Sequence, residues 1–456
     1  MNISIPVRKN ESYEMNVDRL GINGEGVGRI KHFTVFVEGA LAGETVEIRI
    51  IKVTKNYAIG KLVRIIQPST TRIQPFCPTY NWCGGCQLQH LDYSAQLDYK
   101  TQLVKDSLER IGKLDSVSVL PTIGMEHPMN YRNKAQFPIG LVQGEVTVGF
   151  YAQRSHEIIA IHQCGIQQES NAAVLEAVKT YIALHSIPVY QEEHHTGLLR
   201  HVVIRTSMAS GEMMVILVTN GRKLKDSKEF IEILTTLVPK VISVFQNINM
   251  NKTNVILGEE NIHLWGKTYI TDIIGELCFK ISPLSFFQVN LIQTKKLYDK
   301  VLEYANLSGD EIVFDAYCGI GTISLFLARK AKKVYGIEIV EQAVLDAREN
   351  AKFNDIQNVE FITGESEIVI PQLIHKGIIP DVIVVDPPRK GCDERLLKAI
   401  VDVAPNRIIY VSCNPSTLAR DLAILTASDY NVHEVQPVDM FPQTTHVETV
   451  TLLYYK

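Results

Sequence analysis

Residues Arg407-Ile-Ile-Tyr-Val-Ser-Cys413-Asn-Pro-Ser-Thr417 set the architecture of this chain. The apolar and aromatic run 408–411 predicts a buried parallel strand, and helical spacing beyond Ser416 predicts a helix. Open α/β sheets bind ligands outside the carboxyl ends of their strands, so Cys413 lies where chemistry is expected. The N-terminus of the following helix would favour its thiolate. A buried, inert thiol is the alternative for any single cysteine.

Strands and helices alternate from about residue 276 to the end, on both sides of this stretch. Such alternation predicts an α/β fold with a parallel sheet and crossover helices. The last two strand-like segments, 432–438 and 448–455, have no helix between them. They predict an antiparallel pair at the sheet edge.

The N-terminal part differs from this pattern. Five short strand-like segments between about 10 and 66, separated by glycines, predict an OB-type barrel over 1–66, with another small β domain as the alternative. Residues 1–75 carry a net charge of +4, whereas the whole chain carries −4. A basic module on an acidic body is compatible with RNA binding.

Residues 67–275 predict a mixed α+β central domain, with a helix over 93–112 that is free to pack on the domain at 276–456. No apolar run approaches the roughly 18 residues that cross a bilayer, and the first ten residues lack the apolar core of a signal peptide. We therefore expect a soluble, cytoplasmic protein without membrane contact, and a monomer. In a cytosolic chain, the eight cysteines indicate metal binding or catalysis before disulfides.

Four of the cysteines form one constellation. Cys77, Cys83 and Cys86 lie within ten residues on a glycine-bearing loop, and Cys164 follows in the next segment. Four thiolates suit zinc or an iron–sulfur cluster. One Cys-x₂-Cys pair plus two single cysteines favours [4Fe–4S] over zinc, and unligated cysteines are the remaining alternative.

A cofactor loop is indicated by Asp315-Ala-Tyr-Cys-Gly-Ile-Gly-Thr322, between a strand and a helix. Gly319 and Gly321 permit a tight turn and close approach to a ligand. Glu338 ends the next strand, where it could bind ribose hydroxyls. Because no glycine run offers a pyrophosphate cradle, S-adenosylmethionine fits better than NAD. Cys318 is expected to be a packing residue.

Two carboxylates accompany Cys413. Asp386 ends a buried strand and precedes two prolines that stiffen the turn, although an Asp that caps the next helix is the alternative. Glu448 interrupts an apolar alternation and is either a proton acceptor in the same crevice or a solvent-facing residue. A thiolate, two carboxylates and a methyl donor suit methylation at carbon 5 of a pyrimidine. The thiolate adds to carbon 6, carbon 5 is methylated, and a base removes its proton from the flipped-out nucleotide.

Together these residues resemble the RNA (uracil-5-)-methyltransferase family, in the branch with an N-terminal TRAM domain and an iron–sulfur cluster. The resemblance covers nearly the whole chain and is most specific at Asp386-Pro-Pro-Arg, Ser-Cys413-Asn-Pro and His446-Val-Glu448, in that order. It implies a Rossmann-like class I methyltransferase domain over 276–456, a TRAM barrel, and a central domain that holds a [4Fe–4S] cluster.

The resemblance also implies roles for individual residues. Cys413 matches the nucleophile, Glu448 the base, and Asp386 the residue between donor and uracil. The implied donor-binding residues are Gln288, Tyr317, Gly319, Gly321, Thr322, Glu338 and Asp386, although family members often have Phe and Asn where this chain has Tyr317 and Thr322. The implied RNA contacts are Arg132 and Phe286, and the implied cluster ligands are Cys77, Cys83, Cys86 and Cys164.

The implied substrate is 23S rRNA, because a TRAM barrel with a cluster is similar to the rRNA branch. The T-loop uridine of tRNA is the alternative substrate. A cytosine-5 methyltransferase also uses a cysteine, but Asp386-Pro-Pro-Arg and Glu448 favour uracil. An inactive iron–sulfur RNA-binding redox sensor is the alternative from another class.

Overall fold

The computed structural model of the protein describes residues 5–456. Residues 1–4 lie outside this range. They belong to the predicted barrel domain and to the N-terminal segment in which no signal peptide is expected. No helix within it is both long and apolar enough to cross a membrane.

The N-terminal module is a closed five-stranded barrel, as the sequence predicts. Its strands are β1 (Ser12–Leu20), β2 (Gly26–Ile30), β3 (Phe33–Val37), β4 (Thr45–Val53) and β5 (Tyr57–Gln67). They pair in the order β1-β2-β3-β5-β4, and β4 pairs back onto β1. Apolar side chains alternate along β3 and β4, so that Val35, Val37, Val46, Ile48 and Ile50 fill the interior.

The predicted helix after the cysteine loop is α1 (Tyr93–Ser107), which continues into one π-helical turn, Leu108–Gly112. Asp92 caps its start, because a side-chain oxygen accepts the N–H of Ser94 at 3.0 Å. A two-residue strand, β6 (Ser118–Val119), follows.

A seven-stranded sheet forms the middle of the chain. Its elements are β7 (Lys134–Val142), β8 (Glu145–Tyr151), β9 (Ile158–Ala160), α2 (Asn171–His185), β10 (Leu199–Thr206), β11 (Met213–Thr219), α3 (Ser227–Leu237), β12 (Val241–Ile248) and β13 (Glu260–Gly266). The strand order is β13-β12-β11-β10-β7-β8-β9. β7 is not predicted from the sequence because Pro138 and Gly140 interrupt the strand pattern.

Both faces of this sheet are covered, since every residue of β10 and β11 is buried. One face packs on α2 and α3. The other face contributes Val203, Met214 and Ile216 to a hydrophobic core that it shares with the C-terminal part. The central sheet and the C-terminal part are therefore packed together.

The C-terminal part contains β14 (Ile270–Ile274), β15 (Leu277–Ile281), α4 (Leu291–Ala305), β16 (Ile312–Ala316), α5 (Thr322–Ala328), β17 (Lys333–Glu338), α6 (Glu341–Phe353), β18 (Val359–Thr363), α7 (Ser366–His375), β19 (Val382–Val385), α8 (Glu394–Val403), β20 (Arg407–Ser412), α9 (Pro415–Thr426), β21 (Tyr430–Val438) and β22 (Glu448–Tyr455). β14 and β15 form a separate hairpin, and the domain boundary expected after residue 275 falls in its turn. Two helices, α4 and α7, are not predicted from the sequence. In α7 the reason is the interior Pro371, because proline disfavours the inside of a helix.

The main sheet has eight strands in the order β18-β17-β16-β19-β20-β22-β21-β6. β16–β20 are parallel, as the alternation predicts, and β22 is antiparallel to both β20 and β21. The expectation that the last two strands form the sheet edge is wrong, because β6 pairs with β21 outside them. The short strand β6 therefore forms this edge of the sheet, and α1 packs on α9 and β21.

Candidate active site

The candidate residues meet at one end of the main sheet. Glu338 ends β17, Tyr317 follows β16, Asp386 follows β19 and Cys413 follows β20, and these four strands are adjacent and parallel. β22 runs antiparallel to β20, with Thr449 opposite Ser412, so its first residue, Glu448, lies at the same end. The sheet therefore brings Cys413, Asp386 and Glu448 together.

The two carboxylates act on the thiol. The pKa of Cys413 is raised to about 12, first by burial and then by the negative charges of Glu448 and Asp386, while the positive charge of Arg389 opposes them. The expected contribution of the helix N-terminus in favour of the thiolate stays a prediction. In the free protein, burial and two nearby carboxylates outweigh such a partial charge.

The carboxylates are themselves perturbed. Glu448 is buried, and burial followed by the charge of Asp386 raises its pKa well above the usual value. Burial raises the pKa of Asp386 to about 6. A buried carboxylate with a raised pKa is a better proton acceptor than an exposed one, which suits general-base catalysis.

Hydrogen bonds from the residues that follow β20 hold the turn after Asp386. The carbonyl oxygen of Arg389 accepts the Asn414 side-chain amide at 3.0 Å and the Thr417 hydroxyl at 3.3 Å. Asn414 also caps α9, where its side-chain oxygen accepts the Ser416 N–H at 3.1 Å. The residue after Cys413 thus holds the loop that carries Arg389.

A buried polar network holds the loop that precedes Glu448. Lys100 of α1, which is fully buried, forms an ion pair with Asp439 at 2.5 Å, and Tyr93 donates to the other Asp439 oxygen at 2.8 Å. The carbonyl of Gln443 accepts the N–H of Gln87, next to Cys86, at 3.0 Å. Residues from the cysteine loop and α1 therefore position the loop that ends at Glu448.

The donor loop has the backbone geometry that its sequence suggests. The Glu338 carboxylate accepts the N–H of Gly319 at 3.1 Å and of Val340 at 2.9 Å. Gly321 has φ +83°, and a Cβ there would lie 2.7 Å from Phe361, so only glycine fits. Tyr317 also has a positive φ of +70°.

Hydrogen bonds hold two other donor candidates, Thr322 and Gln288. The Thr322 hydroxyl hydrogen-bonds to that of Tyr298 at 2.9 Å. The backbone carbonyl of Gln288, which is half-buried, accepts the Asn133 side-chain amide at 3.0 Å.

Asp315 is a feature that the sequence analysis did not single out. It is fully buried at the end of β16, and one oxygen accepts the Ser324 hydroxyl at 2.5 Å. The other oxygen has no hydrogen-bond partner in the described part of the chain. Burial raises its pKa to about 7, and the charges of Asp386 and Glu338 contribute. Its place at the end of a central parallel strand could have identified it.

The expected RNA-contact residues lie on the neighbouring surface. Phe286 is 73% exposed, which is unusual for so large an apolar side chain on an ordered segment. Arg132 is half-buried, and the hydroxyl of its neighbour Tyr131 donates to the carbonyl of Pro442 at 3.0 Å. Arg132 therefore lies near the loop that ends at Glu448.

The four predicted cluster cysteines influence one another. Burial raises the pKa of Cys86 to about 12, and the charges of Cys164, Cys83 and Cys77 contribute. However, no group of three or more His, Cys, Asp or Glu side chains within residues 5–456 is arranged to hold a metal ion. The predicted cluster is therefore not confirmed.

Two family models match the chain. The one described as tRNA (Uracil-5-)-methyltransferase matches residues 92–456, and the TRAM domain model matches residues 6–63. The first begins next to α1, so it includes the helix that packs on the catalytic part.

Curated relatives match along their whole length. The chain is 54% identical to an uncharacterized RNA methyltransferase of Clostridium tetani, over 100% of this chain and 99% of the relative. It is 51% identical to one of Halalkalibacterium halodurans, over 99% and 98%.

A solved structure is also similar. The Pyrococcus abyssi tRNA (uracil-54, C5)-methyltransferase in complex with S-adenosyl-L-homocysteine has a TM-score of 0.76 and 29% identity, over 96% of this chain and 99% of that one.

Proposed function

The chain belongs to the tRNA (uracil-5-)-methyltransferase family, and we propose that it methylates carbon 5 of uridines in RNA with Cys413 as the nucleophile. The observation that carries this proposal is that strand pairing brings Asp386, Cys413 and Glu448 to one end of the main sheet. Such folds bind their ligands at the carboxyl ends of the parallel strands.

The residues divide the reaction between them. The Cys413 thiolate adds to carbon 6 of the uracil, so that electron density collects at carbon 5. S-adenosylmethionine, when bound, supplies the methyl group that carbon 5 takes up. Glu448 then accepts the carbon-5 proton, the bond between sulfur and carbon 6 breaks, and the thiolate leaves. Asp386 hydrogen-bonds the edge of the pyrimidine and orients it.

Activation of the nucleophile requires a proton acceptor, since a thiol with a pKa of about 12 is protonated at neutral pH. Asp386 is the nearby candidate, because its pKa is raised only to about 6 and because Glu448 must stay unprotonated to accept the carbon-5 proton later. The Arg389 charge stabilises the thiolate that results.

The donor is held, in this proposal, by Gln288, Tyr317, Gly319, Gly321, Thr322, Glu338 and Asp386. The support from the structure is that Tyr317, Gly319, Gly321 and Thr322 form the turn between β16 and α5, and that the Glu338 carboxylate accepts the N–H of Gly319. Gly319 leaves open space there, because nothing lies within 4 Å of the place a Cβ would occupy. The P. abyssi relative was solved with S-adenosyl-L-homocysteine, which agrees with such a site.

We propose 23S rRNA as the substrate, from the combination of a TRAM barrel with the four-cysteine pattern. A second candidate is tRNA, which the similarity to the P. abyssi tRNA (uracil-54, C5)-methyltransferase favours. In either case, Arg132 and the exposed Phe286 would contact the RNA, since aromatic rings stack on splayed bases.

We also propose that Cys77, Cys83, Cys86 and Cys164 hold a [4Fe–4S] cluster. Ligands of a single ion lie about 2.3 Å from it, so their sulfur atoms must converge closely. A cluster places its own iron and sulfide atoms between the ligands, and a wider cysteine arrangement suits it. The support for a cluster over zinc is the spacing of one Cys-x₂-Cys pair with two single cysteines. The charges of the four thiols also contribute to one another's raised pKa values. No step of the reaction is assigned to it.

The experiment is methyl transfer from labelled S-adenosylmethionine to unmodified 23S rRNA and to unmodified tRNA, followed by nucleoside analysis. We expect 5-methyluridine in rRNA. 5-Methyluridine in tRNA alone would keep the chemistry and overturn the substrate. No product from either RNA would overturn the proposed activity and favour an inactive RNA-binding redox sensor.

A further inference from the structure

A row of cations without acidic partners lies beside the candidate active site. Lys134, at the start of β7, is directly opposite Arg205 of β10, and Arg132 lies two residues before Lys134, just outside the strand. None of the three forms a salt bridge within the described residues, although the chain has a net charge of −4. Because no carboxylate of the described chain neutralises these three cations, their proximity calls for a functional or structural explanation.

Arg205 has a structural task that explains its burial. It is 4% exposed, and its guanidinium donates to the carbonyls of Ser285 at 2.5 Å and Pro283 at 3.2 Å. The backbone N–H of Asn133 donates to the carbonyl of Val289 at 2.9 Å. Contacts from Arg205 in β10 and from Asn133, just before β7, therefore hold both ends of the segment that contains the exposed Phe286.

Lys134 has no comparable structural role. Its amine makes no hydrogen bond within residues 5–456, unlike the Arg205 guanidinium beside it. The charged groups that act on it are both cations, Arg205 and Arg132, and with burial they lower its pKa to about 7. An amine in this setting destabilises the folded protein unless an anion binds to it.

This row of cations lies beside the loop that ends at Glu448, because the hydroxyl of Tyr131, next to Arg132, donates to the carbonyl of Pro442 in that loop at 3.0 Å. The charge of Arg132 acts on His446, which the charge of Arg389 also reaches. Arg389 in turn acts on Cys413 and Glu448. A strand of RNA whose base enters the crevice would run its phosphates along these cations, with Phe286 available to a neighbouring base.

We infer that Lys134 and Arg132 together bind one backbone phosphate of the RNA strand next to the target nucleotide. This inference rests on the proposed function and names a phosphate subsite within it. Arg205 acts as a positioning residue, because it holds the Phe286 segment and leaves the phosphate to Lys134 and Arg132.

The test measures binding of a short fluorescein-labelled single-stranded RNA with a central uridine to the full-length protein, as a function of salt. Replacement Lys134→Met removes one cation and keeps the length of the side chain. Since each phosphate contact on single strands contributes a slope of about 0.7 in log Kd against log salt, we expect the slope to fall by about 0.7. At about 0.1 M salt, the same slope predicts an affinity about fivefold weaker.

Two controls separate binding from folding. Lys134→Arg keeps the charge and should retain the wild-type slope and affinity. Lys228→Met removes an exposed lysine of α3 that has no salt-bridge partner, and it should change neither. The affinity for S-adenosyl-L-homocysteine should be the same in all variants, and the unfolding midpoint of Lys134→Met should equal or exceed that of the wild type.

An unchanged slope and affinity in Lys134→Met would overturn the inference. So would a lower unfolding midpoint together with weaker S-adenosyl-L-homocysteine binding, because that pattern indicates a structural role. RNA binding here is measured without methyl transfer. The proposed activity and the phosphate subsite can therefore fail independently.

Discussion

Replacing Glu448 by glutamine should make the thiol of Cys413 more reactive in the free protein. In the wild type, burial and then the charge of Glu448 raise the pKa of Cys413 from 9.0 to about 12. Glutamine keeps the shape of the side chain and removes its charge. The pKa of Cys413 should therefore fall, and the thiolate should form at a lower pH.

The size of the wild-type effect follows from that pKa. At pH 8 a thiol with a pKa of about 12 is ionised to about one part in ten thousand, against about one part in ten for a pKa of 9. A more basic thiolate is also more nucleophilic, by about 0.4–0.5 log units per pKa unit. The alkylation of Cys413 should therefore be about 30- to 60-fold slower than that of an unperturbed thiol.

The assay is iodoacetamide alkylation across a range of pH, with the labelled peptides quantified by mass spectrometry. Cys278 is an internal control, because burial and Asp272 raise its pKa and Glu448 does not contribute. Its rate should be the same in the wild type and Glu448→Gln. The reasoning is refuted if Cys413 in the wild type titrates at or below pH 9, or if Glu448→Gln leaves its pH profile unchanged.

Three further predictions address chemistry and stability. Cys413→Ala should bind S-adenosyl-L-homocysteine like the wild type in calorimetry and transfer no methyl group; substantial residual turnover would contradict a thiolate mechanism. Glu448→Gln should accumulate a covalent RNA–protein adduct that survives denaturing electrophoresis, since elimination needs the carbon-5 proton removed, and its absence where the wild type turns over would exclude Glu448 as the base. Asp439→Ala should lower the free energy of unfolding in urea by about 3–5 kcal/mol, because it leaves the buried Lys100 without its partner. A loss below about 1 kcal/mol, typical of exposed pairs, would show that the pair is solvated.

Much of the fold is predictable because its signals are local. The run 408–411, the prolines after Asp386 and the glycines of the donor loop identify strand ends from a few adjacent residues. The five barrel strands follow in the same way from short alternating segments. β7 and α7 are missed because Pro138 and Pro371 oppose the local pattern, and tertiary packing overrides it.

The site is less predictable because its chemistry depends on distant contacts. The direction in which the pKa of Cys413 shifts was not predictable, since the sequence does not reveal how deeply the thiol is buried or which charges face it. Arg389, Asp315 and Lys134 gain their significance only from what surrounds them. The four cysteines remain a prediction, because the spacing of thiols along the chain does not determine how they converge.

The sequence alone therefore determined the strands of the barrel and the parallel strands β16–β20, together with the reactive side chains at their ends, because periodicity and turn chemistry act over a few residues. The tertiary structure brought Glu448 beside Cys413 through antiparallel pairing and placed Lys134 between two other cations. It also shifted the pKa values that set their chemistry. Burial and electrostatic interaction depend on distances between residues far apart in the chain, and only folding establishes those distances.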